Sequence, residues 1–385
     1  SGLGGADSLP VQVRVNNLNL ANNGPQTYGG VYVANEVVNS DWAEHWFPND
    51  SSGNLYRALR DVAPDDFTYR GTNFTAYTNT WFKQSNNSEN DWRDLIGLLR
   101  VVGTNDQFAT PAVRAVANVE QWVNYLAVMA LFNNRETSIG TGYNDDYFFY
   151  AGINDPRFHL MYYDLDSLMG EGDSVGTTNA SIFAATNLPA FNRLLRWPEF
   201  EPIYFRTLQH LLATTFAKAE FDSTIDQTLG GFVPANIIAK MKTWMDGRRA
   251  YVQSVIAPYV ATNGLPPVAR ISGEPRSPTP LTTATLIVAG PGVTQYRFSL
   301  NGGPFGDTNL VATPIILSNL PHGSSNFVLV IAAGTSGAWP SVANATLSRS
   351  WIVNTSWPAV RINEVLARNV VTLNHNGTFP DAIEL

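Results

Sequence analysis

Asp164 and Asp166 stand two residues apart at the end of an apolar, aromatic run, Arg157 to Tyr163 (RFHLMYY), just before the chain breaks into Gly170 and Gly172. Within the run His159, Met161 and Tyr163 alternate with Phe158, Leu160 and Tyr162, the pattern of a buried strand. On an extended backbone residues i and i+2 point to one face. Two carboxylates are therefore predicted side by side where a core strand meets a glycine-rich turn. Like charges that close repel unless a cation or a shared proton intervenes. A divalent metal is the economical explanation, and magnesium suits one or two carboxylates plus substrate phosphates. The competing account is an Asp-rich turn whose side chains cap their own backbone. Taken alone, the pair favours the turn.

Other elements must bring further polar groups to that strand end. The best helical pattern begins at Asn118, where Trp122, Leu126, Met129 and either Val123 or Phe132 recur at three- and four-residue steps. This predicts a core helix and no cofactor role for its Met or Trp. It ends at Asn133-Asn134-Arg135-Glu136-Thr137, and a Gly/Asn loop leads to Asp145-Asp146. Tyr147 to Tyr150 (YFFY) reads as a strand, with Arg157 to Tyr163 as its hairpin partner. A helix end (Asn134, Glu136), a loop (Asp145, Asp146) and a strand end (Asp164, Asp166) are thus predicted to converge. His159 is expected to be a satisfied core residue. Arg135 and Arg157 are candidates for phosphate contacts or, equally, for structural ion pairs.

Ahead of these, residues 10–16 alternate as a strand, and Val31 to Val38 forms a second that carries one acid, Glu36. Asp41 is expected to cap a short helix through Phe47, and Asn90 and Asp91 a helix from Trp92 to about Val102. Residues 189–257 read as helices, with Pro198 and Pro234 near N-termini. The first unit, residues 1–261, is therefore α+β: a small sheet in front and a helical lobe behind. After a linker at 262–267 (TNGLPP) the chain changes to short β-type runs with turn signals such as Asn301-Gly302-Gly303. That spacing predicts a small immunoglobulin-like β-sandwich over 268–355. A third pattern occupies 356–385.

With 385 residues the chain has room for two or three domains. Hydrophobic content of 44% against 15% charged residues supports a sizeable core and excludes bulk disorder. A net charge of −8 argues against nucleic acid as a partner. The absence of cysteine excludes disulfides and thiolate metal sites. No apolar run is long enough to predict a membrane-spanning segment. The chain opens on Ser1 and stops at Leu385 inside an amphipathic pattern, so it is expected to be a fragment, with targeting signals elsewhere.

The run FNNRET…DDYFFY…RFHLMYYDLDSLMG resembles the core of the CotH kinase family, named for spore coat protein H. Its members show an Asn-x-Asp element, an Asn before a Tyr-rich strand, and a Trp-Asp-Leu-Asp strand end. GGVYVANE and SSGNLYR resemble the family's G-x-Y-x-x-x-E and GNLYK stretches. RINEVLARN…FPDAIEL resembles the opening of a lamin-tail domain. The resemblance spans 8–257 for the kinase module and 360–385 for the lamin tail, and the order of modules is its most specific feature.

The resemblance implies an atypical protein-kinase-like fold, in a large secreted or cell-surface bacterial protein. Such a fold transfers the γ-phosphoryl of ATP to a protein hydroxyl with Mg or Mn, and cell-surface partners are expected. Asp164 matches the metal-binding aspartate, and Asp166 supports it or holds a second ion. Asp146 falls where the family has a metal-binding Asn. Glu136 falls where it has the catalytic Asp that orients the substrate hydroxyl. Glu36 is implied on the strand that meets the nucleotide, and Arg57 stands where members often have Lys. Phosphoryl transfer is mostly positioning plus metal electrostatics, so acids at several element ends suffice.

The sequence also departs from the family pattern. Glu at 136 lengthens the base by a methylene, and the long loop up to Asp146 lets Asp145 take that role. The family's front strands, with their Arg-Gly motif and lysine, would precede Ser1, so this piece alone is expected to hold ATP poorly. Two other readings stand beside the enzyme. One is a non-catalytic kinase-like scaffold, favoured by the changes at 136 and 146. The other is a carbohydrate-active protein using its ten tryptophans as sugar platforms. Against the latter, Trp92, Trp122 and Trp244 are predicted on buried helix faces.

Overall fold

The computed structural model describes residues 5–16, 18–19, 31–59, 67–103, 110–134, 146–172, 176–183, 188–263, 265–356, 364–366, 375–378 and 382–384. The first unit is organised by a four-stranded antiparallel sheet. Its strands are β5 (Asn54–Ala58), β6 (Trp81–Lys83), β7 (Tyr147–Ala151) and β8 (His159–Tyr162), in spatial order β6-β5-β7-β8. Both faces of this sheet are covered. Tyr147, Phe149 and Leu160 pack into the main core with the helices, while Phe148, Tyr150 and Met161 pack on the other side with Trp42 and Ala43. That is why YFFYA is apolar without alternation: every residue of β7 is buried. The predicted hairpin of β7 and β8 is borne out, in the register Tyr147↔Tyr162, Phe148↔Met161, Phe149↔Leu160 and Tyr150↔His159.

Strand β8 is an edge strand, and its outer backbone groups are satisfied by unrelated pieces of chain. Phe158 N–H donates to Val116 O at 2.8 Å, and Phe158 O accepts from Asn118 N–H at 3.1 Å. At Leu160 the partner is a side chain: Gln121 accepts the Leu160 N–H at 2.9 Å and donates to Leu160 O at 2.5 Å. Gly5 then forms a parallel bridge with Tyr162. A buried backbone polar group must be paired, and these three contacts close the edge along its length.

Gln121 belongs to the core helix. With α1 at Ser40–Trp46, α2 at Arg93–Val102 and α3 at Thr110–Val116, this helix is α4, Val119–Phe132. Its predicted start at Asn118 is borne out: Asn118 is the N-cap and accepts from Gln121 N–H at 3.2 Å. Trp122, Val123, Leu126 and Met129 are buried as expected, but so are Gln121, Asn124 and Tyr125, so α4 runs through the core rather than along its surface. Behind it lie α5 (Pro189–Arg196), α6 (Glu201–Ala213), α7 (Lys218–Leu229) and α8 (Ala235–Asn263).

Several boundaries differ from the sequence reading. The cap of α1 is Asn39, not Asp41: Asn39 Oδ1 accepts from Asp41 N–H at 2.9 Å and Trp42 N–H at 3.2 Å. Both residues can cap, and the one two positions earlier reaches the first free amides. Helix α3 was not expected. Helix α8 continues past residue 257 through Pro258 to Asn263, two residues into the expected linker. At the front, β1 (Ser8–Gln12) pairs with β4 (Val31–Asn35), leaving residues 36–38 outside the strand. Strands β2 (Arg14–Val15) and β3 (Leu18–Asn19) form a separate small pair.

The remaining chain is β-rich. Strands β9 (Arg270–Ser272), β10 (Ala284–Ala289) and β13 (Ile315–Leu317) make one sheet. Strands β11 (Gln295–Leu300), β12 (Asn309–Leu310), β14 (Val328–Ala333) and β15 (Thr346–Leu347) make another. They share a core that includes Leu286, Val288, Tyr296, Val330 and Trp351. Strand β10 alternates buried and exposed residues throughout, as a half-buried strand must. Hydrogen bonds tie this unit to the first, Arg157 Nη1 to Leu347 O at 2.9 Å and Arg276 Nε to Asn49 Oδ1 at 2.7 Å, while Arg206 Nε holds the connecting segment at Pro266 O, 2.8 Å away. Further on, residues 364–366 and 382–384 pair antiparallel.

Candidate active site

The register of the central hairpin decides which acids meet. Because Tyr147 pairs with Tyr162, Asp146 just before β7 and Asp164 just after β8 lie at the same end of the sheet. Both hold left-handed backbone conformations, with φ of 45° at Asp146 and 49° at Asp164. A non-glycine residue held so costs about 1–3 kcal/mol, and such outliers cluster at functional sites. Asp tolerates the conformation better than most residues, so backbone need and chemistry both select it here.

The left-handed turn at Asp164 ends the strand, so Asp164 and Asp166 do not share a face by simple alternation as the sequence suggests. They nevertheless open on one cavity of about 590 Å³, both exposed, between the end of β8 and the β1–β4 ribbon. The ribbon contributes Ser8, Val33 and Asn35. Ser8 pairs with Asn35 and Pro10 with Val33, so these positions lie on one face, and Ser8 Oγ donates to Asn35 Oδ1 at 2.8 Å. Two carboxylates with no imidazole or sulfur donor beside them among the described residues suit a hard divalent cation such as Mg²⁺ or Mn²⁺.

Glu36 does not line this cavity. Its carboxylate accepts from the Asp7 N–H at 3.1 Å and lies 3.2 Å from His45 Nδ1. Burial acts to raise its pKa, but the hydrogen bonds from Asp7 N–H and His45 outweigh that and hold it below the ordinary value. Asp7, Glu36 and His45 form the one group of three or more among the described residues whose possible metal-ligating atoms lie within 4.8 Å of one another. It fixes the ribbon to α1.

Asp146 is 8% exposed and does not line the cavity either. Burial and, second, the Asp146 carboxylate push the Tyr125 hydroxyl well above its usual pKa. Tyr125 stacks on Tyr162 with centroids 4.5 Å apart. Arg57 on β5 is exposed, its guanidinium 5.5 Å from the ring centre of Tyr163, the residue before Asp164. Glu136, Asp145 and Arg135 lie outside the described residues.

The turn after Asp166 is held from behind. Gly170 has φ of 82°, and a Cβ there would stand 2.8 Å from the Trp244 ring. Trp244 Nε1 donates to Gly176 O at 3.0 Å, and Asn133 Nδ2, at the end of α4, donates to Thr177 O at 2.8 Å. Arg248, fully buried, donates to Ala130 O at 2.6 Å and 3.1 Å, to Thr178 O at 3.0 Å and to Ala180 O at 2.5 Å. The end of α4 and the segment beyond the acids are thereby locked together. The sequence reading missed Gln121 and Arg248. A polar residue within an apolar helical stripe was the only signal for the first.

Two further candidates prove structural. Arg157 is no phosphate contact: it makes a two-pronged bond to Asp155 at 2.8 and 2.7 Å and reaches Leu347 O. His159 lies at the far end of β8, its Nε2 3.1 Å from Asn118 Nδ2, and burial lowers its pKa to about 4.

An α+β unit with acids gathered at one end of a buried hairpin, under a two-stranded ribbon, is a kinase-like arrangement. The sequence model of the CotH kinase protein matches residues 2–247, more than half of the chain, and the chain belongs to this family. No curated protein matches it.

Proposed function

We propose that the first unit transfers the γ-phosphoryl group of ATP to a protein hydroxyl with magnesium or manganese. The observation that carries this is the opening of Asp164 and Asp166 onto one cavity of about 590 Å³ in a chain of the CotH family. That volume is in the range that small-molecule and cofactor sites occupy. Asp164 and Asp166 supply oxygen ligands, and a divalent ion held there neutralises charge on the phosphates. Asp146 supports the same strand end. Arg57, stacked over Tyr163, reaches toward phosphate oxygens where relatives have lysine. Glu136 or Asp145 accepts the proton of the attacking hydroxyl. The oxygen–phosphorus bond to that hydroxyl forms as the bond to the β,γ-bridging oxygen breaks and ADP leaves. Residues 268–355 serve as an immunoglobulin-like spacer, 356–385 as the start of a lamin-tail module, and the protein acts outside the cell.

The second reading, a non-catalytic scaffold, draws support from the burial of Asp146, which takes a carboxylate away from the cavity. Calorimetric titration of Mg-ATP into the chain extended at its N-terminus, and into the Asp164→Ala variant of that extended chain, separates the two. Asp164 is exposed, so the variant should remain folded. Binding present in the parent and lost in the variant is expected; no binding to the folded parent sinks the nucleotide site.

A further inference from the structure

We infer that the crevice between the two units is a binding site for a small oxyanion, a phosphate or carboxylate group, seated on Arg270 and Ser272. The crevice encloses about 400 Å³ between α4 and β9. It shares no residue with the Asp164 cavity.

Three features set its character. First, Arg270 and Ser272 are alternate residues of β9, opposite Ala289 and Ile287, so strand geometry places a guanidinium and a hydroxyl side by side on one face. Second, neither side chain has a hydrogen-bond or ion-pair partner among the described residues, and Arg270 is only partly exposed. A charge taken partly out of water with no acceptor is unfavourable, and an oxyanion is the partner whose geometry matches a guanidinium fork. Third, the other charges around the crevice are spoken for. Arg157 is bound to Asp155. Glu120, the acid that acts on Arg270, is bound to Arg114 at 2.7 Å. His159 is neutral, held so by burial. Glu274 accepts the Arg349 backbone N–H at 3.0 Å, and the Arg349 guanidinium donates to the Glu274 main-chain carbonyl at 2.7 Å. Arg270 is left as the donor facing the crevice. A ligand there touches both units and binds one to the other.

The test is calorimetric and thermal-shift titration of the whole chain with inorganic phosphate and, separately, malonate, each against chloride at matched ionic strength. One or both should bind and raise the melting temperature; which one does identifies the phosphate or the carboxylate source. Arg270→Gln should weaken binding about tenfold or more, and Ser272→Ala about threefold, the losses of a charged and a neutral hydrogen bond. Arg93→Gln, an exposed arginine paired to Asp91, should change nothing. Asp164→Ala should retain oxyanion binding, which separates this site from the nucleotide site. If Arg270→Gln does not fold, Ser272→Ala carries the test. Unchanged affinity in the folded variants, or no effect of either anion beyond chloride on the parent, overturns the assignment.

Discussion

Replacing Gln121 by methionine removes the side chain that stands in for a missing neighbour strand. Methionine keeps the length and flexibility of glutamine but can neither donate to Leu160 O nor accept from Leu160 N–H. Those two groups point away from β7, since both are bonded outward to Gln121 at 2.5 and 2.9 Å. Gln121 is 8% exposed, so water does not replace it readily. Two orphaned backbone groups cost about 1–3 kcal/mol each, and the thioether's apolar burial offsets part of that. A net loss of about 3 kcal/mol lowers the melting temperature by roughly 6–12 °C in a unit of this size. Thermal melting by circular dichroism measures the loss. Hydrogen exchange should locate it at the Leu160 amide. Gln227→Met, on an exposed face where Gln227 bonds only Ser223, is the control and should be near neutral. A Gln121→Met melt within about 2 °C of the parent, less than 1 kcal/mol of effect, or an unchanged Leu160 exchange rate, would show that the edge is satisfied some other way.

Two more predictions concern the same framework. His159 has its folded pKa lowered to about 4 by burial, below an ordinary value of 6.5. The unfolded chain therefore binds the extra proton first, so this stability is full above pH 6.5 and drains away as pH falls toward 4. Urea melts across that window should show a loss of about 3 kcal/mol, and His159→Gln should flatten the slope; an equal slope in both would assign the acid sensitivity elsewhere. Arg248→Met leaves Thr178 O and Ala180 O without their donor, while Ala130 O keeps the Asn133 N–H at 3.2 Å. A cost of about 2–5 kcal/mol is expected, with Mg-ATP binding weakened in the still-folded variant because the segment behind Asp166 loses its anchor. Full affinity would show that the acids are positioned without it.

What the sequence made legible follows from locality. The hairpin of β7 and β8 and the core helix α4 are written in runs of neighbouring residues, so their pattern, their pairing as a hairpin and the N-cap of α4 could be read directly. Asp164 and Asp166 were legible as a pair, but the reason they share a cavity was not. Strand alternation predicts a common face, whereas Asp164 turns left-handed and ends the strand. The cavity exists because a ribbon more than a hundred residues earlier in the chain folds over that end. Glu36 was assigned from its place in a motif, and its side chain turns instead to His45 and the Asp7 amide. Those are tertiary choices that no local window contains. Helix α3 escaped because its seven residues carry little periodicity, although Thr110-Pro111 is a helix-start signal.

The most consequential residues of the framework are polar ones that the hydrophobic pattern treats as noise. Gln121 and Arg248 sit in core helices where leucine or methionine would satisfy the periodicity equally well. Each is there because a backbone elsewhere ends without a partner: an edge strand at Leu160, and the loop carbonyls of Thr178 and Ala180. Both segments flank the turn that carries Asp164 and Asp166. A site that gathers like charges repels itself, and it stays put only if the chain on either side is fixed independently of the ligand. Buried side-chain-to-backbone bonds do that where apolar packing cannot, because they specify one position rather than a favourable area. The polarity inside this core is therefore an expected companion of the acids at its edge.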